Sequence, residues 1–194
     1  MYKYGRLNKQ SNFELSVSCQ LILVEYACLC DKPVALITLL DETVNWIKVR
    51  SGSSHEVMPS RTSFCQYTVK QDELLIINDA TMDHRFDNND LVQSDPFVRF
   101  YAGMPLILSS GLKLGTLCLF DLKPGDLDDN QKKLLSILAR QVVFLMELKL
   151  KDKLLEEQLE EIRVKNDSLI KIAYIQSHNI RQPLTSIMGL VGLV

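Results

Sequence analysis

The chain has 194 residues, of which 22 are basic and 24 acidic, and its formal net charge is −2. This balance gives no reason to expect a nucleic-acid partner, which would favour a basic face, and a hydrophobic fraction of 46% fits a globular core and not a disordered chain. No apolar run reaches the roughly 18 residues of a membrane-spanning helix, and the first residues lack the apolar core of a secretory signal. We expect a cytoplasmic protein with no nucleic-acid partner and no membrane span.

The cysteines are odd in number and irregular in spacing: Cys19, Cys28, Cys30, Cys65 and Cys118. This usage favours reduced thiols buried among apolar residues. Cys28 and Cys30 form a CxC pair, but no second pair of metal-ligating residues accompanies it. The sequence therefore predicts no metal site.

The first predicted element is a helix from about Asn12 to Cys30, where apolar residues recur at helical spacing. PVALITLL, residues 33–40, is rich in residues typical of a buried strand. After a short turn, VNWIKVRSG alternates apolar and polar residues through Val44 and Trp46. Two strands joined by a tight turn predict a hairpin.

The next segments are read as a loop over residues 51–61, one or two helical turns in SFCQYTVKQ and a short strand in ELLIIND. A polar, irregular segment covers residues 80–96. FVRFYAGMPLIL and LKLGTLCLFD predict two more strands around a turn, and helical signals dominate from Asp129 onwards. This order predicts an α+β fold, an antiparallel sheet flanked by helices and followed by a long C-terminal helix.

Five segments in this order, PVALITLLDETVNWIKVRSG, SFCQYTV, LLIINDATMDHRF, VRFYAGMPLI and LGTLCLFDLKPGDL, resemble the GAF domain family over roughly residues 10 to 148. The resemblance implies a sensory module that binds a small-molecule ligand or dimerises. A ligand pocket between the sheet and its covering loops would be partly apolar. The pocket candidates are Trp46, Phe64, Cys65, Tyr67, Phe97, Phe100 and Tyr101. The alternative is that these side chains are ordinary core.

Specialised GAF activities find little support in the residues. The NKFDE pattern of cyclic-nucleotide-binding members is not matched. Bilin attachment usually uses a cysteine beside a histidine, whereas Cys65 precedes Gln66 and Tyr67, and His84 lies in a polar loop that suits neither bilin nor haem. A thiol-based redox role for Cys65 stays open, although no neighbour in the sequence clearly lowers its pKa.

Heptads follow between residues 148 and 173. One set of seam residues recurs every seven positions, and the second set lies four residues after the first: Leu148, Leu155, Ile162 and Leu169, then Asp152, Leu159, Asn166 and Ala173. Alternating steps of four and three predict a coiled coil, and a lone Asn166 at an a position favours a parallel homodimer. Glu161 and Lys165 are spaced for an i,i+4 ion pair. The alternative is one amphipathic helix folded back on its own domain.

HNIRQPLTSIMGL resembles the H-box of sensor histidine kinases, H-x-x-R-x-P, on the first helix of a HisKA-type dimerisation and phosphoacceptor domain. The resemblance implies that His178 is the phosphoacceptor, that Arg181 and Pro183 fill the next fixed positions, and that a response regulator takes the phosphoryl group. Neutral imidazole is a nucleophile near pH 7. Many members carry an acidic residue after the histidine, where this chain has Asn179. Gln182 stands where some members carry a residue associated with phosphatase activity.

The predicted organisation is a GAF sensor over residues 1–148, a coiled-coil signalling helix over 149–172 and the first part of a phosphoacceptor helix over 173–194. We expect a fragment of a longer sensor histidine kinase that holds no cofactor and is inactive alone. ATP and Mg would bind only in a catalytic domain that these residues lack. The alternative function is a non-catalytic GAF dimerisation module that binds a small molecule.

Overall fold

The computed structural model of the protein describes residues 17–41 and 43–191 and, among these, not the side chains of residues 17, 18, 61, 182 and 184–191. The predicted helix start at Asn12, the side chain of Gln182 and the last three residues of the predicted 173–194 segment lie outside this description. The helices are α1 (Val17–Leu29), α2 (Cys65–Thr68), α3 (Asp90–Gln93) and α4 (Asp129–Val191). Short 3-10 helices span Ser60–Thr62, Ala80–Met82 and His84–Phe86.

The strands form one antiparallel sheet in the order β3-β2-β1-β6-β5-β4. Their bounds are β1 (Val34–Leu40), β2 (Val44–Ser51), β3 (Val57–Pro59), β4 (Leu75–Ile77), β5 (Phe100–Ile107) and β6 (Lys113–Asp121). The predicted β1–β2 and β5–β6 hairpins are both present. The α+β fold class expected from the sequence is therefore confirmed.

The two faces of the sheet carry separate cores. One core contains side chains of α1, of the first turns of α4 and of one side of the sheet, and we call this side the helix face. The other side, the loop face, is covered by α2, α3 and the irregular segments between β2 and β5. Successive side chains of β1 point to opposite sides of the sheet, so Ile37 belongs to the helix face and Leu36 to the loop face.

The start of α4 is set by a capping box. The side chain of Asp128 accepts a hydrogen bond from the Gln131 backbone N–H at 2.8 Å, and the side chain of Gln131 accepts one from the Asp128 N–H at 2.9 Å. Gln131 also joins the ends of two helices, because its amide donates to the Leu29 carbonyl and its own carbonyl accepts from the Tyr26 hydroxyl. These contacts pack α1 beside the first turns of α4 on the helix face.

β2 differs from the expected pattern. Its buried residues are Asn45, Ile47 and Val49, whereas Val44 and Trp46 are only half-buried. The register of β1 on β2 shifts between Ile37 and Thr38, which moves the alternation by one residue. β3 lies within the segment read as a loop, so that interpretation was wrong for Val57–Pro59.

The described residues divide into two compact units, with the boundary between Glu147 and Leu148. The finer division of the second unit into residues 149–172 and 173–194 stays a prediction. Among the residues that the structure describes, no helix is both long and apolar enough to cross a bilayer.

Candidate functional site

The loop face holds a compact group of aromatic side chains. Phe64 stacks on Phe86 with ring centroids 4.2 Å apart and on Tyr101 at 5.2 Å. Phe120 meets Phe64 edge-on at 5.8 Å, and Tyr67 meets Phe86 at 5.2 Å. Aromatic pairs at these separations contribute stabilisation beyond the area that they bury. The rings therefore form a packed core on this face.

Four of the seven pocket candidates meet here, since Phe64, Cys65, Tyr67 and Tyr101 belong to the loop-face cluster. Phe86 and Phe120 complete the group of aromatic side chains but were not among the candidates. Phe86 lies in a polar, irregular segment, and Phe120 ends a strand whose interior is buried on both faces. Neither position carries an alternation signal that marks its face.

The other three candidates lie elsewhere. Phe100 belongs to the helix-face core, because adjacent residues of a strand point to opposite sides and Tyr101 occupies the loop face. Trp46 pairs across the ladder with Leu39, a helix-face residue. Phe97 has a φ of 58° and is 49% exposed in the segment before β5. The structure does not bring these three side chains to the aromatic group.

A second, polar group lies on the loop face and was missed in the sequence because its members are far apart in the chain. The hydroxyl oxygens of Thr38 and Thr116 are 3.0 Å apart across β1 and β6. The Asn45 amide donates to the Ser63 hydroxyl at 2.8 Å. All four residues have side chains with 0% exposure. A buried polar group of this kind has to satisfy its hydrogen bonds internally.

The buried side chain of Asn45 satisfies only part of its hydrogen-bonding capacity. Its Oδ1 is a buried acceptor that no donor among the described residues reaches. An unpaired buried carbonyl oxygen costs about 1–3 kcal/mol. The loop face therefore offers one free acceptor beside the hydroxyls of Ser63, Thr38 and Thr116, which is where a polar ligand group could bond.

Cys65 and Cys118 adjoin this polar group. Their Sγ atoms are 3.9 Å apart, and both residues are fully buried. Burial raises the pKa of the Cys118 thiol well above its ordinary value, and the neighbouring Cys65 sulfur raises it further. The sequence offered no clear partner for Cys65, because Cys118, Thr116 and Thr38 lie on distant strands and only Ser63 is close to it in the chain.

His178 lies on α4 with its side chain exposed, and Asn179, Arg181 and Pro183 are exposed as well. Pro183 falls inside the helix. Arg181 lies three residues after His178, or about one helical turn, and Pro183 lies five residues after His178, or about a turn and a half. The side chains of Gln182 and Leu184 lie outside the description, so the predicted H-box is described only in part.

The predicted coiled-coil seam is exposed along α4. Exposed fractions run from 44% at Leu148 to 62% at Leu169, and every side chain from Leu155 to Arg181 is exposed. The predicted ion pair is confirmed, since Lys165 Nζ lies 2.6 Å from Glu161 Oε1. An apolar stripe of this length on one helix is typical of a surface that pairs with another helix.

Comparison with known proteins agrees with the fold. Residues 14–145 match the family model described as GAF domain. A cyclic di-GMP phosphodiesterase of Pseudomonas aeruginosa is 40% identical over 112 residues, which are 57% of this chain but only 19% of that protein. The chain therefore spans about a fifth of the length of this curated relative.

Solved structures show the same fold at low identity. The GAF domain of an Acinetobacter phosphoenolpyruvate-protein phosphotransferase has a TM-score of 0.55 at 18% identity, covering 70% of this chain and 85% of that one. A domain from a Sinorhizobium meliloti protein described as a two-component sensor histidine kinase has a TM-score of 0.56 at 13% identity, covering 75% and 99%. The match to the family model covers more than half of this chain, so the chain belongs to the GAF domain family.

Proposed function

We propose that the chain is the sensory and dimerisation part of a two-component sensor histidine kinase, with His178 as its phosphoacceptor. One observation carries the proposal: an exposed histidine, followed at fixed spacing by Arg181 and Pro183, on the helix that continues from the GAF unit. A phosphoacceptor has to be exposed, because a second domain must bring a nucleotide to it. The imidazole of His178 meets this requirement.

The proposed chemistry is phosphoryl transfer to an imidazole nitrogen. ATP, bound with Mg²⁺ in a catalytic domain outside these residues, loses its γ-phosphoryl group as an N–P bond forms on His178 and the bond to ADP breaks. An aspartate carboxylate of a response regulator then takes the phosphoryl group. Asn179 carries an amide where many relatives have a carboxylate, so we expect no assistance from it in removing the imidazole proton.

We further propose a parallel homodimer through α4. The exposed seam of the coiled coil supports it, since Leu155, Leu159 and Ile162 are each more than half exposed in the single chain. Burying such side chains against a second copy stabilises the pair by about 1.5–3 kcal/mol for each full burial. Asn166 falls at an a position, where a buried amide favours two strands in parallel register.

Apolar residues of the GAF unit support the same dimer. Leu21 and Val24 on α1 are 59% and 45% exposed, and Ile137 and Phe144 on the first turns of α4 are 41% and 59% exposed. Large exposed apolar side chains on two neighbouring helices are typical of an interaction surface. We propose that the second copy covers these side chains as well.

The test is transphosphorylation of the chain by the catalytic domain of a sensor histidine kinase with γ-labelled ATP and Mg²⁺. We expect label that is stable in base and labile in acid, as phosphohistidine is, and its loss in His178→Gln. His84→Gln is the matched control, because the His84 side chain is also exposed. Label that persists in His178→Gln would overturn the proposal.

A second candidate function is a GAF module that binds a small molecule and dimerises without accepting phosphate. The free acceptor at Asn45 Oδ1 favours a ligand with a donor group on the loop face. A relative that is 40% identical over 112 residues is a cyclic di-GMP phosphodiesterase, a protein with a different activity, which also supports this candidate. Native mass spectrometry of the purified chain tests this candidate, which predicts a retained small molecule and a loss of retention in Asn45→Leu.

A further inference from the structure

Two thiols meet on the loop face without being bonded. Cys65 begins α2 and Cys118 lies in the middle of β6, and 53 residues separate them in the chain. Their Sγ atoms are 3.9 Å apart, and both side chains have 0% exposure. The other cysteines lie outside this cluster: Cys19 and Cys30 are buried in the helix-face core, and Cys28 is exposed.

The hydrogen bonds give the two sulfurs different roles. The Thr38 hydroxyl donates to Cys65 Sγ at 3.6 Å, so Cys65 is an acceptor. The Cys118 thiol proton has two acceptors within reach, the Leu36 carbonyl oxygen at 3.6 Å and Cys65 Sγ at 3.9 Å, so Cys118 is a donor as well. The Thr116 hydroxyl lies 3.0 Å from that of Thr38 and donates to Cys118 Sγ at 3.6 Å, so each sulfur accepts one threonine hydrogen bond. Hydrogen bonds donated to a sulfur favour its thiolate, the form that attacks oxidants, whereas a hydrogen bond that the thiol donates favours the protonated form.

The pKa values of the two thiols also differ. Burial raises the pKa of the Cys65 thiol, but side-chain hydrogen bonds outweigh burial and bring it below its ordinary value. The groups that lower it are Cys118, Ser63, Thr116 and Thr38. Burial raises the pKa of Cys118, and its contact with Cys65 raises it again. Of the two thiols, Cys65 is therefore the one that ionises first.

We propose that Cys65 and Cys118 form a peroxide-reactive dithiol, in which a hydroperoxide oxidises Cys65 and Cys118 closes the disulfide. The proposal concerns the GAF unit alone and stands whatever the role of His178. It assigns a modification site to the polar group of the loop face, with hydrogen peroxide as the smallest member of the oxidant class.

The reaction balances in two steps. The Cys65 thiolate attacks one peroxide oxygen, the O–O bond breaks, and the departing hydroxide takes up the proton that the thiol released and leaves as water. Cys118 sulfur then attacks Sγ of the Cys65 sulfenic acid, the S–O bond breaks, and a second water leaves with the Cys118 proton. Two thiols lose two electrons in total, and one peroxide becomes two waters.

The geometry requires a small movement on one side only. A disulfide has an S–S bond of about 2.05 Å, so the sulfurs must approach by about 1.9 Å. Cys118 is held in the sheet, where it pairs with Leu36 on β1 and with Gly103 on β5. Cys65 begins a helix of four residues between turns, a segment that can move without breaking the sheet. Transient opening of this segment also gives peroxide access to the buried sulfurs.

The experiment treats the reduced full chain with hydrogen peroxide, quenches it, denatures it, alkylates free thiols and identifies linked peptides by mass spectrometry. We expect one Cys65–Cys118 linked peptide and an intact mass about 2 Da lower from the disulfide itself. Cys19 and Cys30 should stay alkylatable as internal controls in the same molecule. The Cys28→Ser background removes intermolecular disulfides through the exposed thiol.

Variants separate the two roles. In Cys118→Ser, Cys65 should be trapped as a dimedone adduct of its sulfenic acid, whereas Cys65→Ser should leave Cys118 alkylatable. Retention of free Cys65 and Cys118 in the unmutated chain, long after peroxide has consumed Cys28, would overturn the proposal. So would a linked peptide that joins Cys65 to a different cysteine. Both readouts are obtained on the unmutated chain, so they do not depend on whether a variant folds.

Discussion

The hydroxyl oxygens of Tyr101 and Thr68 lie 2.6 Å apart, and both side chains are fully buried. The Tyr101 ring extends along β5 over Gly103, where an added Cβ would come within 2.1 Å of the tyrosine hydroxyl oxygen. Glycine at this position is therefore what allows the ring to reach α2. The hydrogen bond holds the short helix that begins with Cys65 against the sheet.

Replacing Tyr101 with phenylalanine tests this contact. Tyr101→Phe keeps the ring but leaves the buried Thr68 hydroxyl without that partner, so we expect the free energy of unfolding to fall by about 1–3 kcal/mol. Urea denaturation followed by circular dichroism measures the change. Tyr174→Phe is the matched control, because Tyr174 is 73% exposed on α4, and it should change stability by less than about 0.5 kcal/mol. Equal losses in the two variants would contradict the assignment.

Asp83 and Arg85 provide a pH-dependent test. The Arg85 guanidinium donates to Asp83 through Nε at 2.9 Å and Nη2 at 2.5 Å, and these bonds hold the pKa of Asp83 below its ordinary value. Because the folded-state pKa is depressed, the pair stabilises the fold above the unfolded pKa of about 4 and loses this contribution as pH falls through the folded value. The pair of Asp83 and Arg85 therefore stabilises the folded state at neutral pH.

Asp83→Asn keeps a side-chain oxygen that can accept the Arg85 N–H and removes the charge. We expect a loss of about 0.5 kcal/mol near pH 7, since the Arg85 side chain is 42% exposed and solvent screens the pair. The difference from the unmutated chain should shrink as the pH of the denaturant titration is lowered below about 4. Glu73→Gln controls for removal of one exposed carboxylate. A difference that stays constant into acid would rule out the ion pair as its source.

The proposed dimer predicts a positional effect of charge on α4. Leu159→Lys places a charge at an a position of the seam, so we expect a shift from dimer to monomer in sedimentation velocity at micromolar concentration. Glu157→Lys is the control, because it introduces the same residue only two positions earlier, at an f position away from the seam. It should leave the dimer intact. If both variants sediment as the unmutated chain does, the seam is not the interface.

The strands were predictable where the sequence is locally explicit. Runs such as VALITLL and LGTLCLF contain the β-branched and aromatic residues of buried strands, and turn residues separate them. β3 escaped prediction because its three residues alternate exposed and half-buried and include Pro59. A short edge strand of this kind leaves almost no apolar pattern.

The faces of the sheet were less predictable, for a physical reason. Phe100, Tyr101 and Ala102 all have 0% exposure, because both sides of the sheet are covered. A strand buried on both faces shows no alternation, so the sequence could not place Phe100 opposite Tyr101. For Trp46, the register shift between β1 and β2 was the missing information.

The polar group and the dithiol depend on contacts between distant segments. Thr38 and Thr116 are 78 residues apart, and Asn45 meets Ser63 across 18 residues. Such contacts follow from the order of strands in the sheet, which a single sequence does not reveal. The proposed H-box, in contrast, is a local pattern, so its histidine could be proposed from the sequence alone and stays a prediction.

The position of the phosphoryl group is the most direct test of His178 as the phosphoacceptor. The chain is phosphorylated by a sensor histidine kinase catalytic domain with ATP and Mg²⁺, digested at neutral pH and sequenced by electron-transfer fragmentation. We expect the added phosphate mass on His178, followed by its loss when a response regulator receiver domain is added. Phosphate found on another residue, or a His178 peptide that stays unmodified while the catalytic domain phosphorylates its own substrate, would rule out His178 as the phosphoacceptor.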